Sequence, residues 1–392
     1  TKHMKMLPRI STLAVAAIFA VAASPSIHAQ TSATTDPVGF VKQTLLGNTD
    51  SYISLPMARD AVFAGTVAGS IAATSFTVNA GSGSPNWTAS AFVYANPSQR
   101  DTYYAEFTSG ALRGLYYKVT ANGTNTLTLD TEGDSLLLHA LPGNAMAALA
   151  IGDGIKIRPY FRIRDVFENP AASGTPILEG RAVAAMTTVG DEIKFTSYTA
   201  LGINKAAALN VFYVTGTSSW TASAAPPTQP ATVADWVLRP NEAFVVRNRN
   251  AGSIELTNTG WVVMNKMISF VPGGDASNGN DIFISINRPA PVKLDDSGLA
   301  HPDSTQSFIK HSTSAIIINQ RQDELLTWTA GSGFSRAATA RYVYVGGQGW
   351  RDTNNVGNTT VGQTTFLQPG QAYIVRKKAN SVGKDWVNDA NY

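Results

Sequence analysis

The chain has 392 residues, of which 30 are Lys or Arg and 27 are Asp or Glu, for a formal net charge of +3. It has no cysteine, which excludes a disulfide framework, Cys-ligated zinc, iron–sulfur clusters, c-type haem and a thiol nucleophile. With 15% charged and 44% hydrophobic residues it is the reverse of a disordered composition, and its length is enough for two or three domains whose cores need no staples.

Residues 1–29 read as a secretory leader. Lys2, Lys5 and Arg9 form a basic start, residues 13–23 an apolar stretch, and Pro25 ends any helix there. Ala29 is the small residue at the cleavage position, so Gln30 opens the mature chain. The apolar stretch is far shorter than the ~20 residues that span a bilayer, and no later segment reads as a spanning helix. The expected location is therefore outside the cytoplasm of a bacterium: secreted, periplasmic or on the outer surface. Beyond residue 29, 27 basic residues face 27 acidic ones. A neutral mature chain has no global field to steer it to nucleic acid or to an anionic membrane.

The rest alternates short Val, Ile, Thr, Tyr and Phe runs with Gly, Asn, Asp, Ser and Pro clusters, the pattern of strands and turns. Residues 102–107 and 115–120 are predicted strands joined at Ser109-Gly110. Asn122-Gly123 predicts a hairpin leading into a strand at 126–129, because both residues tolerate positive φ. Residues 155–158 alternate as another strand. Helix is expected only at 199–209 and, for one turn, at 164–168.

An internal repeat organises these strands. Leu238-x-Pro240-x-x-Ala243-Phe244-Val245-Val246-Arg247 matches Leu367-x-Pro369-x-x-Ala372-Tyr373-Ile374-Val375-Arg376. Upstream, Phe212-Tyr213-Val214 matches Val343-Tyr344-Val345, Trp220 matches Trp350, and Asp191-Glu192 matches Asp323-Glu324. The offset stays between 129 and 132 residues. Nearer the start, Gly39-Phe40-Val41 with Arg59 corresponds to Ser269-Phe270-Val271 with Arg288, now at an offset of about 230. The difference of about 100 residues is an insertion into the first copy. The expected fold is all-β: a duplicated β-sandwich-like unit with a small β-barrel domain inserted in the first copy. Its parts are 30–61 plus 161–250, the insert 62–160, and 251–392.

Asp36-Pro37-Val38-Gly39-Phe40-Val41, Ser54-Leu55-Pro56, the run 102–112 and the run 152–160 together resemble a family of uncharacterised secreted proteins of Verrucomicrobia-type bacteria. The resemblance spans most of the mature chain. It implies no activity and supplies no site residue. Residues 109–129 are separately similar to a small β-module of phage tail and virion proteins, at the level of fold alone.

Motifs that carry chemistry are sparse. His139, His301 and His311 lack metal spacing, and no nucleophile elbow, Walker loop or dinucleotide fingerprint is present. Asp275, Ser277 and Asp281 alternate as oxygen ligands would for calcium, the one cofactor left open; the other reading is an Asx-rich turn. Glu106, Asp165, Glu179 and Glu242 are candidate acids for glycoside chemistry, with no spacing that selects a pair. Trp220 and Trp350 lie near Gly- and Ser-rich turns and are candidate sugar platforms, against the alternative of core packing. Lys156, Arg158, Arg162 and Arg164 interleave with aromatics as a strand with one solvated cationic face. The expected function is a secreted, non-catalytic structural or adhesion-type protein of the cell envelope or matrix. The alternatives are a carbohydrate-binding or glycan-utilisation surface protein and, third, a secreted hydrolase. Expected partners are further copies of the chain or a surface glycan, with no nucleic acid and no membrane span.

Overall fold

A computed structural model describes residues 37–81, 83–141, 146–183, 190–197, 200–224, 230–329, 331 and 333–389. The expected leader, 1–29, lies outside them. The first copy opens with β1 (Val38–Leu45) and β2 (Thr49–Ser54). The insert carries β3 (Phe63–Gly69), β4 (Ser75–Asn79), β5 (Tyr103–Phe107), β6 (Tyr116–Asn122), β7 (Thr126–Asp130), the short β8 (His139–Ala140) and β9 (Met146–Ala147), and β10 (Gly154–Pro159). The first copy then resumes with β11 (Phe161–Arg162), a one-turn helix (Ile163–Phe167), β12 (Glu168–Asn169), β13 (Ala172–Pro176), β14 (Glu192–Thr196), β15 (Ala207–Val214) and β16 (Ser219–Ala222). It ends with β17 (Val237–Leu238), β18 (Ala243–Asn248) and β19 (Ile254–Trp261). The second copy holds β20 (Met267–Val271), β21 (Asn280–Ser285), β22 (Val292–Lys293), β23 (Glu324–Thr327), β24 (Ala340–Val345) and β25 (Gly349–Asp352). It closes with β26 (Phe366–Leu367), β27 (Ala372–Lys377) and β28 (Lys384–Asn388).

The fold is all-β and duplicated. The first copy has a five-stranded sheet in the order β16-β15-β14-β18-β2, and the second has β25-β24-β23-β27-β21. Each strand of one order stands at the repeat-related place in the other. Each sheet is covered by a two-stranded ribbon, β1–β19 in the first copy and β20–β28 in the second. Leu45 and Leu256 of the first ribbon share a core with Ile53, Ile193, Phe244 and Val246. Val271 and Trp386 of the second share one with Ile284, Leu325, Tyr373 and Val375. Because β19 pairs with β1 along its whole length, the first copy runs to Trp261 rather than ending near residue 250.

The repeated motif is apolar on both sides because both sides are buried. Phe244 and Val246 face the core of their own copy. Ala243 and Val245 face the other way, against Phe283, Leu326, Trp328, Ala372 and Ile374 of the second sheet. Tyr52 stacks on Trp328 at this junction, with ring centroids 4.2 Å apart and planes 13° from parallel. The turn before the Ala needs a left-handed residue: Asn241 has φ 60° and Gly370 φ 76°.

The insert is a closed six-stranded barrel, β10-β3-β4-β7-β6-β5. Closure leaves it no sheet edge, and its core holds Phe76, Phe107, Leu112, Leu127, Leu136 and Ile157, all fully buried. Three expectations need correction. The described residues of 199–209 are not helical, and Ala207 to Leu209 belong to β15, because the alternating run that follows continues back through them. The hairpin at Asn122-Gly123 exists, but neither residue has positive φ. Asn122 instead ends β6 buried, with its side chain donating to the carbonyl of Thr88 at 2.9 Å. Arg158 does not lie on a solvated face: it is 3% exposed and pairs with Glu106 at 3.1 Å.

Candidate functional site

The side chains that carry charge and polarity concentrate where the barrel meets the two copies. On the first copy, Arg59 reaches Asp101 at 2.7 Å and Asp165 at 3.3 Å. Arg162 closes the ring, at 2.7 Å from Asp165 and 3.3 Å from Asp101. Beside it Asp235, fully buried, lies 2.7 Å from Arg164 Nε and 2.9 Å from Arg100 Nε. Burial pushes the Asp235 carboxyl up, but the Thr232 hydroxyl and the two guanidinium groups outweigh it and hold the carboxyl below its ordinary value. A buried carboxylate is tolerated only when paired in this way.

Beside Arg59 lies a small cavity lined by Leu55, Met57, Tyr104, Tyr160, Arg239 and Pro240, of about 10 Å³. That is room for about one water. Tyr104 and Tyr160 sit with ring centroids 4.7 Å apart, and burial raises both phenols, so both stay neutral through the ordinary range. Glu242 lies close by; burial raises its carboxyl, against the backbone N–H of Arg239.

The barrel also docks on the second copy. The Tyr116 hydroxyl, which donates to the Pro240 carbonyl of the first copy at 2.9 Å, also lies 3.4 Å from the Ser269 hydroxyl of the second, and Asn265 donates to Glu106. The Ile268 N–H donates to the Gly114 carbonyl at 2.9 Å, and the Ile268 side chain completes the barrel core. At the other end of the contact His139 stands between Asp385 of β28 and Asp134 of the barrel. This cluster was invisible in sequence, because 246 residues separate His139 from Asp385.

The other sequence candidates go elsewhere. Trp220 is 6% exposed and Trp350 2%. Trp220 donates its indole N–H to Glu168 at 3.0 Å, and Trp350 meets Tyr344 edge-on at 5.7 Å. Both are core residues, which corrects the platform reading: the Gly- and Ser-rich turns beside them are hairpin tips, and the indoles pack into the cores of their copies. Asp275 accepts the Ser277 N–H at 2.7 Å and that of Asn278, an Asx turn whose N–H groups hold the carboxyl low. Asp281 lies on β21 and is taken by the Arg376 guanidinium, with 2.8 and 2.7 Å contacts. A guanidinium thus fills the place of a cation at Asp281, and the three calcium candidates do not converge. Among the described residues, no three His, Asp or Glu side chains are grouped to hold a metal.

The acid candidates have separate partners: Glu106 with Arg158, Asp165 with Arg162, and Glu242 with the Arg239 N–H. Glu179 is exposed. His301 and His311 meet only through the His301 carbonyl, 2.9 Å from His311 Nε2. No described helix is long and apolar enough to cross a membrane. Comparison with known proteins found no matching family model, no matching curated protein and no matching solved structure.

Proposed function

We propose that the chain is a non-catalytic structural or adhesion-type protein working outside the bacterial cytoplasm, and that it associates with a second copy of itself through the free edge of β1. A difference between the two copies carries this reading. In the second copy the outer edge of β20 is taken by the barrel at Ile268. In the first copy Val38 and Phe40 stand at the places of Ile268 and Phe270. The Val262 N–H donates to the Pro37 carbonyl at 2.8 Å, which makes Val38 and Trp261 a non-hydrogen-bonded pair. The N–H and C=O groups of Val38, Phe40, Lys42 and Thr44 therefore face away from β19, and among the described residues no backbone group meets them.

Val38 is 67% exposed and Phe40 63%. A long edge with exposed apolar side chains and one charge is a template for strand pairing. The same edge from two molecules, run antiparallel, closes as a two-fold dimer. The partnered ions of the barrel junction favour a holding role over proton transfer.

Light scattering on the mature chain across a concentration series tests this. The expected result is a dimer that Phe40→Lys converts to monomer, while Phe270→Lys leaves it intact. A monomer at every concentration overturns the association. Turnover of a glycan or peptide substrate overturns the non-catalytic reading.

A further inference from the structure

We infer that His139 is a pH-sensitive clamp between the barrel and the second copy, closed when its imidazole carries both protons. The geometry is that of a cation site. His139 is 6% exposed, with Nε2 3.0 Å from the Asp385 carboxylate and Nδ1 3.5 Å from that of Asp134. A neutral imidazole has one N–H and one lone pair, so one ring nitrogen would face a carboxylate oxygen without a proton between them. The imidazolium offers an N–H to each.

The surrounding groups reinforce this. On β6 the Tyr117 hydroxyl donates to the same Asp134 oxygen at 2.9 Å, which keeps Asp134 an acceptor. On the turn after β7, exposed Glu132 pairs with Arg239 at 2.9 Å. On β28, Asp385 supplies the second carboxylate. Among the described residues, no cation from these elements pairs with the ring.

The hydrogen bond to the Asp385 carboxylate raises the imidazole above its ordinary value and burial opposes it, with the charge of Asp134 adding to the rise. A raised histidine contributes its full stabilisation below the ordinary value of about 6.5 and loses it as pH rises through the folded-state value. The clamp therefore holds in acid and releases toward alkaline pH. It acts on a contact that also includes Ile268, partly buried Val387 and the Ile268–Gly114 and Asn265–Glu106 hydrogen bonds.

Amide exchange at Ile268 in the full chain, corrected for the intrinsic pH dependence, reads the contact directly. Protection is expected to fall several-fold from weakly acidic to weakly alkaline pH. His139→Gln should abolish that dependence. Asp134→Asn keeps an acceptor for Tyr117 at a half-exposed position, and should move the transition to lower pH. A flat wild-type profile, a His139→Gln profile that follows the wild type, or an unmoved transition in Asp134→Asn overturns the clamp.

Discussion

Arg247 grips Asp50 through two parallel hydrogen bonds, Nε to Oδ1 and Nη2 to Oδ2, each 2.7 Å. Arg376 and Asp281 repeat the arrangement in the second copy. Each pair is closed by a loop of the opposite copy. The Ser335 N–H donates to Asp50 at 2.7 Å, and the Asn204 N–H to Asp281 at 2.7 Å. Ser335 and Asn204 hold φ of 50° and 52°, so the same rare backbone state recurs at both places. The copies exchange loops as the subunits of a two-fold dimer exchange arms. The duplicated chain is such a dimer on one polypeptide.

Arg247→Met should therefore be costly. It strands a nearly buried carboxylate and undocks the Ser335 loop, a loss of about 3–5 kcal/mol. Replacing both partners, Asp50→Leu with Arg247→Met, should cost less than Arg247→Met alone. Burial pushes the Asp50 carboxyl up, but the Arg247 and Ser335 hydrogen bonds prevail and hold it below its ordinary value. A lowered acid gives stability that is present above the unfolded value of about 3.9 and lost as pH falls through the folded one. Urea unfolding should show that acid limb in the wild type and a weaker one in Arg247→Met. Equal limbs would refute the assignment.

The motif around Arg247 was legible because burial on both faces demands the same residue types at the same spacing. Phe244 and Tyr373 point inward, while Val245 and Ile374 point toward the other copy. The length of the insert was legible from the change in offset. What pairs across the junctions was not. Asp385 and His139, or Asp50 and Ser335, are brought together by packing between parts, and neither partner carries a local signature. Arg158 was misread for the same reason: alternation places its side chain on a face, but only the fold decides whether Glu106 or water covers it. Trp220 and Trp350 were placed by their turns, whereas the repeat itself, which puts a Trp at the same strand position twice, was the better guide to a core role.

The turn before β27 offers a sharp test of copy against copy. Gly370 has φ 76°, and a Cβ there would run into the Gln43 side-chain amide. Its carbonyl also accepts the Ser54 N–H at 2.8 Å, so the turn cannot yield freely. Gly370→Ala should cost about 1–3 kcal/mol. At the equivalent Asn241 the same φ is already held by a side chain that donates to Ser269 at 2.8 Å, and Asn241→Gly should cost about 1 kcal/mol or less. Thermal unfolding of the two variants side by side decides the order. Equal midpoints would mean that Gln43 moves aside without cost.

Trp328 ties the copies together and should be the most sensitive single position at their junction. It stacks on Tyr52, and its indole N–H donates to the Arg336 carbonyl at 3.1 Å. Trp328→Ala empties a buried site of large volume and should cost about 3–5 kcal/mol. Because Tyr52 and Val245 lie on the opposite sheet, the loss should appear in both copies. Exchange of amides on β2 and on β23 should quicken together. Quickening confined to β23 would show that the copies are independent.

Lys377 and Asn248 occupy equivalent places beside equivalent aspartates, and here the copies should respond to pH differently. Asp323 accepts the N–H groups of Lys378 and Lys310, each at 2.9 Å, and meets Lys377 Nζ at 2.9 Å. Asp191 accepts those of Arg249 and Glu179, each at 2.7 Å, but Asn248 turns instead to the carbonyls of Leu45 and Gly252. Without an ammonium beside it, burial pushes the Asp191 carboxyl above its ordinary value, against the two N–H groups. The folded chain then keeps this proton longer than the unfolded one, so stability falls as pH rises from about 3.9 through the raised value. Asp323→Asn strands a buried ammonium and should cost about 3–5 kcal/mol near neutrality. Asp191→Asn loses one acceptor and should cost only about 1–3 kcal/mol. The gap between Asp191→Asn and the wild type should widen toward acid, where the wild type regains its proton. Urea midpoints measured across the acid range read the gap directly, and a constant difference would mean that Asp191 titrates like a carboxylate in water.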